Sequence, residues 1–312
     1  MTEIFNKHQS VLLKETIDQL KINPTGFYLD ATFGRGGHSE VILSYLGPRG
    51  RLLAMDKDPD AVNFAKNNFC SDSRFSIHHG SFATLNEFLE SENLIGSLDG
   101  IFFDLGVSSP QLDQPDRGFS FLRSGKLDMR MDFSKGVDAA TWIANISEKE
   151  LANVLYEYGD ERFSRRIAKA IVLARLDNPI VTTKQLADIV SKAHPAWKEG
   201  RHPATKSFQA IRIAVNHELD DLHIGLLQSL DALKIGGRLL VISFHSLEDR
   251  IVKNFMRNQE KGDDLPSKLP IKHVEVLPKF KKLGKAIKPT PGEINSNPRS
   301  RSAILRVGEK LL

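Results

Sequence analysis

Gly26-Phe27-Tyr28-Leu29-Asp30, followed by Phe33-Gly34-Arg35-Gly36-Gly37-His38-Ser39, is the stretch that decides the fold. A short apolar run ends in an acid and opens at once into a glycine-rich turn. The helix predicted after it turns Val41, Ile42, Leu43 and Leu46 inward and stops at Gly47-Pro48. The unit then recurs. Gly50-Arg51-Leu52-Leu53-Ala54-Met55 predicts a second strand ending at Asp56, residues 60–69 a helix, residues 74–78 a third strand, and residues 99–103 a fourth ending at Asp104. Strands and helices alternating at this spacing imply an α/β fold with a mostly parallel, Rossmann-like sheet and right-handed crossovers.

Over residues 110–217 the rhythm stops and the chain reads as helical. Ser147 with Glu150 makes a capping box before residues 151–158, Asn178-Pro179 ends a helix over 163–176, and Thr182 with Gln185 caps the next. Alternation resumes with a helix over 219–233, the apolar strand Arg238-Leu239-Leu240-Val241-Ile242-Ser243-Phe244, a helix over 247–256 and a last strand over 302–307. Residues 262–298, rich in Lys, Pro and Gly, predict a mostly irregular excursion. The expected organisation is a discontinuous α/β domain, 1–110 and 217–312, interrupted by an all-helical insertion, 111–216.

The 312 residues carry 43 Lys and Arg against 39 Asp and Glu, a formal net charge of +4. With 40% hydrophobic and 26% charged residues the chain reads as globular. It has no bilayer-spanning apolar run, and its start, Met1-Thr2-Glu3-Ile4-Phe5-Asn6-Lys7-His8, lacks a secretory plan; a cytoplasmic protein with no membrane partner is expected. The single cysteine, Cys70, excludes an internal disulfide, a thiolate zinc site and any two-cysteine mechanism. The +4 is uneven. Residues 1–116 hold 9 basic and 16 acidic side chains, net −7; residues 117–212 hold 17 and 11, net +6; residues 213–252 hold 3 and 6, net −3; residues 253–312 hold 14 and 6, net +8.

Ligands of an open parallel sheet bind at the carboxyl ends of its strands, where the marked acids and glycines fall. Gly36 and Gly37 allow close approach of backbone to a ligand, and Asp56 suits a carboxylate accepting from ribose hydroxyls, so adenosine binding is expected. The turn lacks the G-x-G-x-x-G phosphate cradle, which favours S-adenosylmethionine over a nicotinamide dinucleotide. Asp30 would meet its ammonium or orient the glycine turn, and Phe82 would flank the adenine. Asp104-Leu105-Gly106-Val107-Ser108-Ser109-Pro110 places a carboxylate and hydroxyls where a reactive methyl would lie. An exocyclic amine is a poor nucleophile because its lone pair is delocalised, and acceptors for its N–H groups restore it. Asp104 is the leading candidate, as catalyst or cofactor ligand, with Ser108 and His245 behind it. Methylation at a pyrimidine C5 needs a cysteine nucleophile, and Cys70 lies outside every motif, so N-methylation is favoured. In Ser243-Phe244-His245-Ser246-Leu247-Glu248-Asp249-Arg250, the ring and polar groups suit a base, and Ser246 with Asp249 reads equally as a capping box. Candidate RNA contacts are Arg162, Arg165, Arg166 and Lys206 in the insertion and Lys281 and Lys282 in the tail.

Five motifs together resemble the bacterial 16S ribosomal RNA cytosine-N4 methyltransferase family, the RsmH or MraW type. They are Asp30-Ala31-Thr32-Phe33-Gly34-Arg35-Gly36-Gly37-His38-Ser39, Asp104-Leu105-Gly106-Val107-Ser108-Ser109-Pro110-Gln111-Leu112-Asp113, Arg117-Gly118-Phe119-Ser120-Phe121, Leu127-Asp128-Met129-Arg130-Met131-Asp132, and residues 243–250. The resemblance implies a class I S-adenosylmethionine-dependent methyltransferase sheet with an inserted substrate-recognition domain. It implies methyl transfer to N4 of a decoding-centre cytidine, with 16S ribosomal RNA in the 30S subunit or a late assembly particle as the expected partner; the mechanism requires no metal. By motif, the cofactor contacts are Gly36, Gly37, His38, Asp56, Phe82, Asp104 and Gln111. Leu105-Gly106 stands where amino methyltransferases of DNA carry two prolines, so their loop chemistry does not transfer directly. The alternatives are a non-catalytic RNA- or ribosome-binding protein on the same fold and a nicotinamide-dependent oxidoreductase.

Overall fold

The structure is a computed structural model and describes residues 10–195, 202–261 and 278–312. Packing divides the chain into two compact units, one running to Gly106 and resuming at Asp220, the other Val107–Leu219.

In the first unit the strands are β1 (Phe27–Asp30), β2 (Arg51–Asp56), β3 (Phe75–His79), β4 (Leu98–Asp104), β5 (Leu233–Ser243), β6 (Phe280–Lys282) and β7 (Ile304–Lys310). Among the described residues they form one sheet in the order β3-β2-β1-β4-β5-β7-β6. Pairs from β3 to β5 are parallel, and β7 runs antiparallel to both β5 and β6. The order reverses between β1 and β4, which places the binding crevice at their carboxyl ends.

Both faces of the sheet are covered, and residues of β4 alternate between them. Phe103 packs with Leu29, Met55, Leu239 and Val241 on one side. Phe102 packs with Tyr28, Leu52, Leu240 and Ile242 on the other. Strands buried on two faces read as continuous apolar runs, which is why Ile101-Phe102-Phe103 shows no alternation in sequence. Among the covering helices are α1 (Leu13–Leu20), α2 (Gly37–Tyr45), α3 (Pro59–Phe69) and α4 (Leu85–Ser91).

In the second unit, α5 (Ser109–Asp113), α6 (Ala139–Asn145), α7 (Glu148–Glu157), α8 (Ser164–Asp177), α9 (Thr183–Ala193) and α10 (Ala204–Asn216) surround their own apolar core. The boxes at Ser147 and Thr182 form as expected. The motifs at 117–121 and 127–132 interlock. Gly118 sits at φ +77°, where a Cβ would fall 2.5 Å from the Asp128 nitrogen. The Asn216 amide donates to Met129 O (2.7 Å) and accepts from Met131 N–H (2.7 Å), and Arg130 grips Asp128 with two 2.8 Å bonds. These motifs therefore shape the chain's own backbone.

The chain continues through α11 (Glu218–Ala232) and α12 (Ser246–Lys261), with α13 (Pro291–Ser296) before β7. The described part of the expected irregular excursion is ordered, because it finds partners the sequence does not display. Phe280 of β6 is fully buried, and the Glu293 carboxylate of α13 accepts from Leu12 N–H at 2.7 Å. Residues 262–277 of that excursion lie outside the described residues.

Phe103→Ala empties a fully buried site and is expected to cost about 3–5 kcal/mol, read as a lower urea midpoint. A loss below about 1 kcal/mol would contradict the packing described.

Candidate active site

Three carboxylates end three neighbouring parallel strands: Asp56 on β2, Asp30 on β1 and Asp104 on β4. Asp30 is buried, and its two oxygens accept from Ser39 Oγ (2.7 Å) and Thr32 N–H (3.1 Å). Of its two expected roles, the one on view is orienting the glycine turn and the start of α2. Burial pushes its pKa up to about 6. Asp56 accepts from Gly34 N–H (2.7 Å) and Asp58 N–H (2.8 Å), and burial pushes it up to about 7. It too fastens the glycine turn, each oxygen keeping lone pairs beyond those bonds.

The glycines serve a tighter constraint than ligand approach alone. Gly36 holds φ +74° at the N-cap of α2, and a Cβ there would fall 2.6 Å from the Phe33 ring. A Cβ at Gly37 would fall 2.1 Å from Ser10 Oγ. The chain's own atoms fill the space a side chain would take.

Asp104 differs from the other two acids. Its N–H donates to Thr32 Oγ1 at 2.6 Å, which ties β4 to the residue after Asp30–Ala31. Its Oδ1 is buried with no hydrogen-bond partner among the described residues, while the side chain as a whole is 27% exposed. Burial, then the charges of Asp30 and Glu248, push its pKa up to about 8. His38 Nδ1 lies 3.8 Å from Asp104 Oδ2, beyond a hydrogen bond. Because His38 Nε2 meets the Val11 carbonyl at 3.1 Å and a carbonyl only accepts, Nε2 carries the proton and Nδ1 presents a lone pair. Burial lowers His38 to about 4, so the ring is neutral. An orphaned carboxylate oxygen and an imidazole lone pair thus form an acceptor-rich notch suited to a cationic or N–H-bearing ligand.

Phe82 packs edge-on to Phe103, ring centroids 5.3 Å apart. His245 is held by Glu248, which sequence reasoning did not single out. The buried Glu248 carboxylate accepts from Phe244 N–H (2.8 Å) and His245 N–H (3.3 Å), with its other oxygen 3.1 Å from His245 Nε2. Asp249, read as a possible cap, grips Arg306 of β7 through two bonds of 2.7 and 3.0 Å. Thr32, Ser39 and Glu248 were the residues missed; their signal was their position inside two quoted motifs.

Ser108 and Gln111 fall in the second unit, where the Gln111 carbonyl oxygen accepts from Ser108 N–H (2.8 Å) in a capping box of α5. Arg165 and Arg166 are exposed on α8, and Arg162 is exposed two residues before it. Lys206 donates to Asp160 O (2.5 Å), Lys282 pairs with Glu260 (2.8 Å), and Lys281 is exposed. No helix of the described residues is long and apolar enough to cross a membrane.

A doubly wound sheet with a reversed β7, a glycine turn after β1 and acids closing β1, β2 and β4 defines a class I S-adenosylmethionine-dependent methyltransferase. The residues suit that cofactor: the buried Asp104 oxygen without a partner among the described residues favours a positively charged ligand, and no phosphate cradle is needed. The MraW methylase family model matches residues 5–311, and the chain belongs to that family. Relatives called ribosomal RNA small subunit methyltransferase H include one from Legionella pneumophila (strain Paris), 58% identical over 98% of this chain and 99% of its own length. Another, from Marinomonas sp. (strain MWYL1), is 54% identical over 100% of this chain and 99% of its own. Among solved structures, a putative rRNA-methylase from Clostridium thermocellum has a TM-score of 0.47 at 12% identity, covering 97% of this chain and 99% of that one. Membership rests on the family model and the close relatives.

The raised acids carry a stability signature. A carboxyl whose folded pKa lies above its unfolded value near 3.8 keeps its proton on folding, so stability falls as pH rises from that value through the folded pKa. Asp104→Asn keeps the shape without the charge. Its thermal midpoint is expected to exceed the parent's by more at about pH 8.5 than at about pH 5, the gap closing only as pH falls to the unfolded value near 3.8; a gap of the same size at both pH values would show that ionisation is not the cause.

Proposed function

We propose that the chain transfers a methyl group from S-adenosylmethionine to N4 of a cytidine in 16S ribosomal RNA of the small ribosomal subunit. The substrate class is supported by the relatives' names, and the amine specificity by one observation: Asp104 Oδ1, buried and without a partner among the described residues, at the end of β4. S-adenosylmethionine supplies an electrophilic methyl on a positive sulfur. Asp104 accepts an N–H of the cytosine amine, countering delocalisation of the nitrogen lone pair into the ring. As the N–CH3 bond forms and the S–CH3 bond breaks, N4 sheds one proton; the positive charge of the bound cofactor opposes the raised pKa of Asp104, and the ionised carboxylate is the acceptor. Glu248 steadies the Phe244–His245 backbone, and Phe244 offers a ring for the base to stack on.

The second unit serves as the substrate-recognition part, with Arg162, Arg165 and Arg166 against phosphates. The exposed Cys70, at the C-cap of α3, gives no cysteine route to C5. Gly36, Gly37 and Asp104 are all intact, which favours catalysis over a binding-only role. The expected place of action is the cytoplasm, on the 30S subunit or a late assembly particle.

The test incubates the protein with labelled S-adenosylmethionine and undermethylated small subunits, then maps the label by mass spectrometry. Label on cytidine N4 is expected; label on C5 or ribose, or none, overturns the proposal. Asp104→Ala is expected to lower turnover about 10²–10³-fold. Arg165→Ala is expected instead to weaken RNA binding and to flatten its logarithmic salt dependence by about 0.7–0.9. An unchanged slope would remove Arg165 from the RNA surface.

A further inference from the structure

We infer that Asp221, in the first turn of α11, is a positioning residue for the adenosine end of the cofactor site; this rests on the S-adenosylmethionine reading above. The Asp221 Oδ2 accepts from Lys57 Nζ (2.8 Å) and from Ser81 Oγ (2.7 Å), and both Lys57 and Asp221 are mostly buried. Lys57 follows Asp56 at the end of β2, and Ser81 precedes Phe82 after β3. One carboxylate oxygen therefore joins the two loops between which an adenosine is expected.

Asp221 is the first point of a track. Asp221, Gly225 and Gln228 stand at i, i+4 and i+7 of α11, one face of the helix. A Cβ on Gly225 would fall 2.9 Å from Phe82 Cδ2, so the glycine admits that ring. Gln228 Nε2 donates to Ala83 O (2.9 Å), and its Oε1 accepts from Asn86 N–H (3.0 Å). The Ser81 hydroxyl, while donating to Asp221, accepts from Ala83 N–H at 3.2 Å and so caps the short turn Phe82–Thr84. The whole segment from Ser81 to Asn86 is fastened to α11, and Asp221 extends the fastening to β2. Gly80 N–H donates to Asp56 O (2.9 Å) and the His79 ring Nε2 to Lys57 O (3.2 Å), so the loops already share one backbone bond and one side-chain bond to backbone. What Asp221 adds is control of their side-chain faces.

The experiment compares the parent with Asp221→Asn by calorimetric titration of two probes. S-adenosylhomocysteine reports on the whole site; 5′-methylthioadenosine lacks the amino acid and reports on the adenosine end. Loss of one charge-assisted clamp is expected to weaken both by the same factor, about five-fold, with KM for S-adenosylmethionine rising alike and kcat within about two-fold. If Asp221→Asn does not fold, Ser81→Ala and Lys57→Gln each remove one arm, and each is expected to give a smaller loss shared by both probes. Unchanged affinity for both, a loss confined to S-adenosylhomocysteine, or a fall in kcat at constant KM overturns the inference. So does a parent that binds S-adenosylhomocysteine but not methylthioadenosine. A parent that binds neither overturns the S-adenosylmethionine reading itself.

Discussion

The constraint on which the site depends is the gathering of three carboxylates at one edge of a parallel sheet. Parallel strands bring all their carboxyl ends to the same side, and β2, β1 and β4 are neighbours that each finish in aspartate. Removal from water raises the proton affinity of all three, and the Asp30 charge raises Asp56 and Asp104 further. Hydrogen bonds from Ser39, Thr32, Gly34 and Asp58 offset this for Asp30 and Asp56. Asp104 has no such donor on its buried oxygen and has the highest pKa of the three. The uncompensated carboxylate sits where a positive ligand gains most, as expected where function takes precedence over stability.

The strands legible in the sequence were those whose pattern carries a stop signal. β1, β2 and β4 each end in an acid followed by a turn, and the predicted ends agree with the structure. Their two-sided burial made them continuous apolar runs, distinguishable from helix by length and flanking glycine. β6 and α13 were not legible. A three-residue strand has no period to detect, and Phe280 reveals itself as core only beside β7, where a Cβ on Gly308 would fall 2.0 Å from its ring. β5 begins earlier than the apolar run at 238: Leu233 continues the apolar pattern of α11 and Gly236-Gly237 reads as a connection, and only the pairing of Leu233 with Leu98 makes the strand start there.

The site divides in a similar way. Glycines, acids and motif spacing point to positions, but not to what each side chain touches. Asp30 and Asp56 could be placed at strand ends from the sequence, whereas their use of turn N–H groups depends on the fold. Glu248 was hidden because a glutamate in the first turn of a predicted helix reads as ordinary first-turn charge. Its burial and its grip on Phe244 and His245 are tertiary facts. Asp221 was invisible for the same reason: it lies 164 residues from Lys57 and 140 from Ser81, and no local pattern encodes that meeting.

Charge counting by segment needs the same correction. The excess of 17 basic over 11 acidic residues in 117–212 reads as a surface for phosphate, yet much of that charge has structural work. Arg130 is taken by Asp128 and Arg212 by Glu218; Arg117 donates to Met131 O, and Arg175 holds Ile143 O and Ile146 O. Lys206 is turned onto Asp160. Arg162, Arg165, Arg166 and Lys169 are exposed over one short stretch at the start of α8, and Arg123, Lys149 and Lys192 are exposed elsewhere in the segment. The basic residues of the segment thus divide into an interior set that builds the unit and an exterior set that faces water.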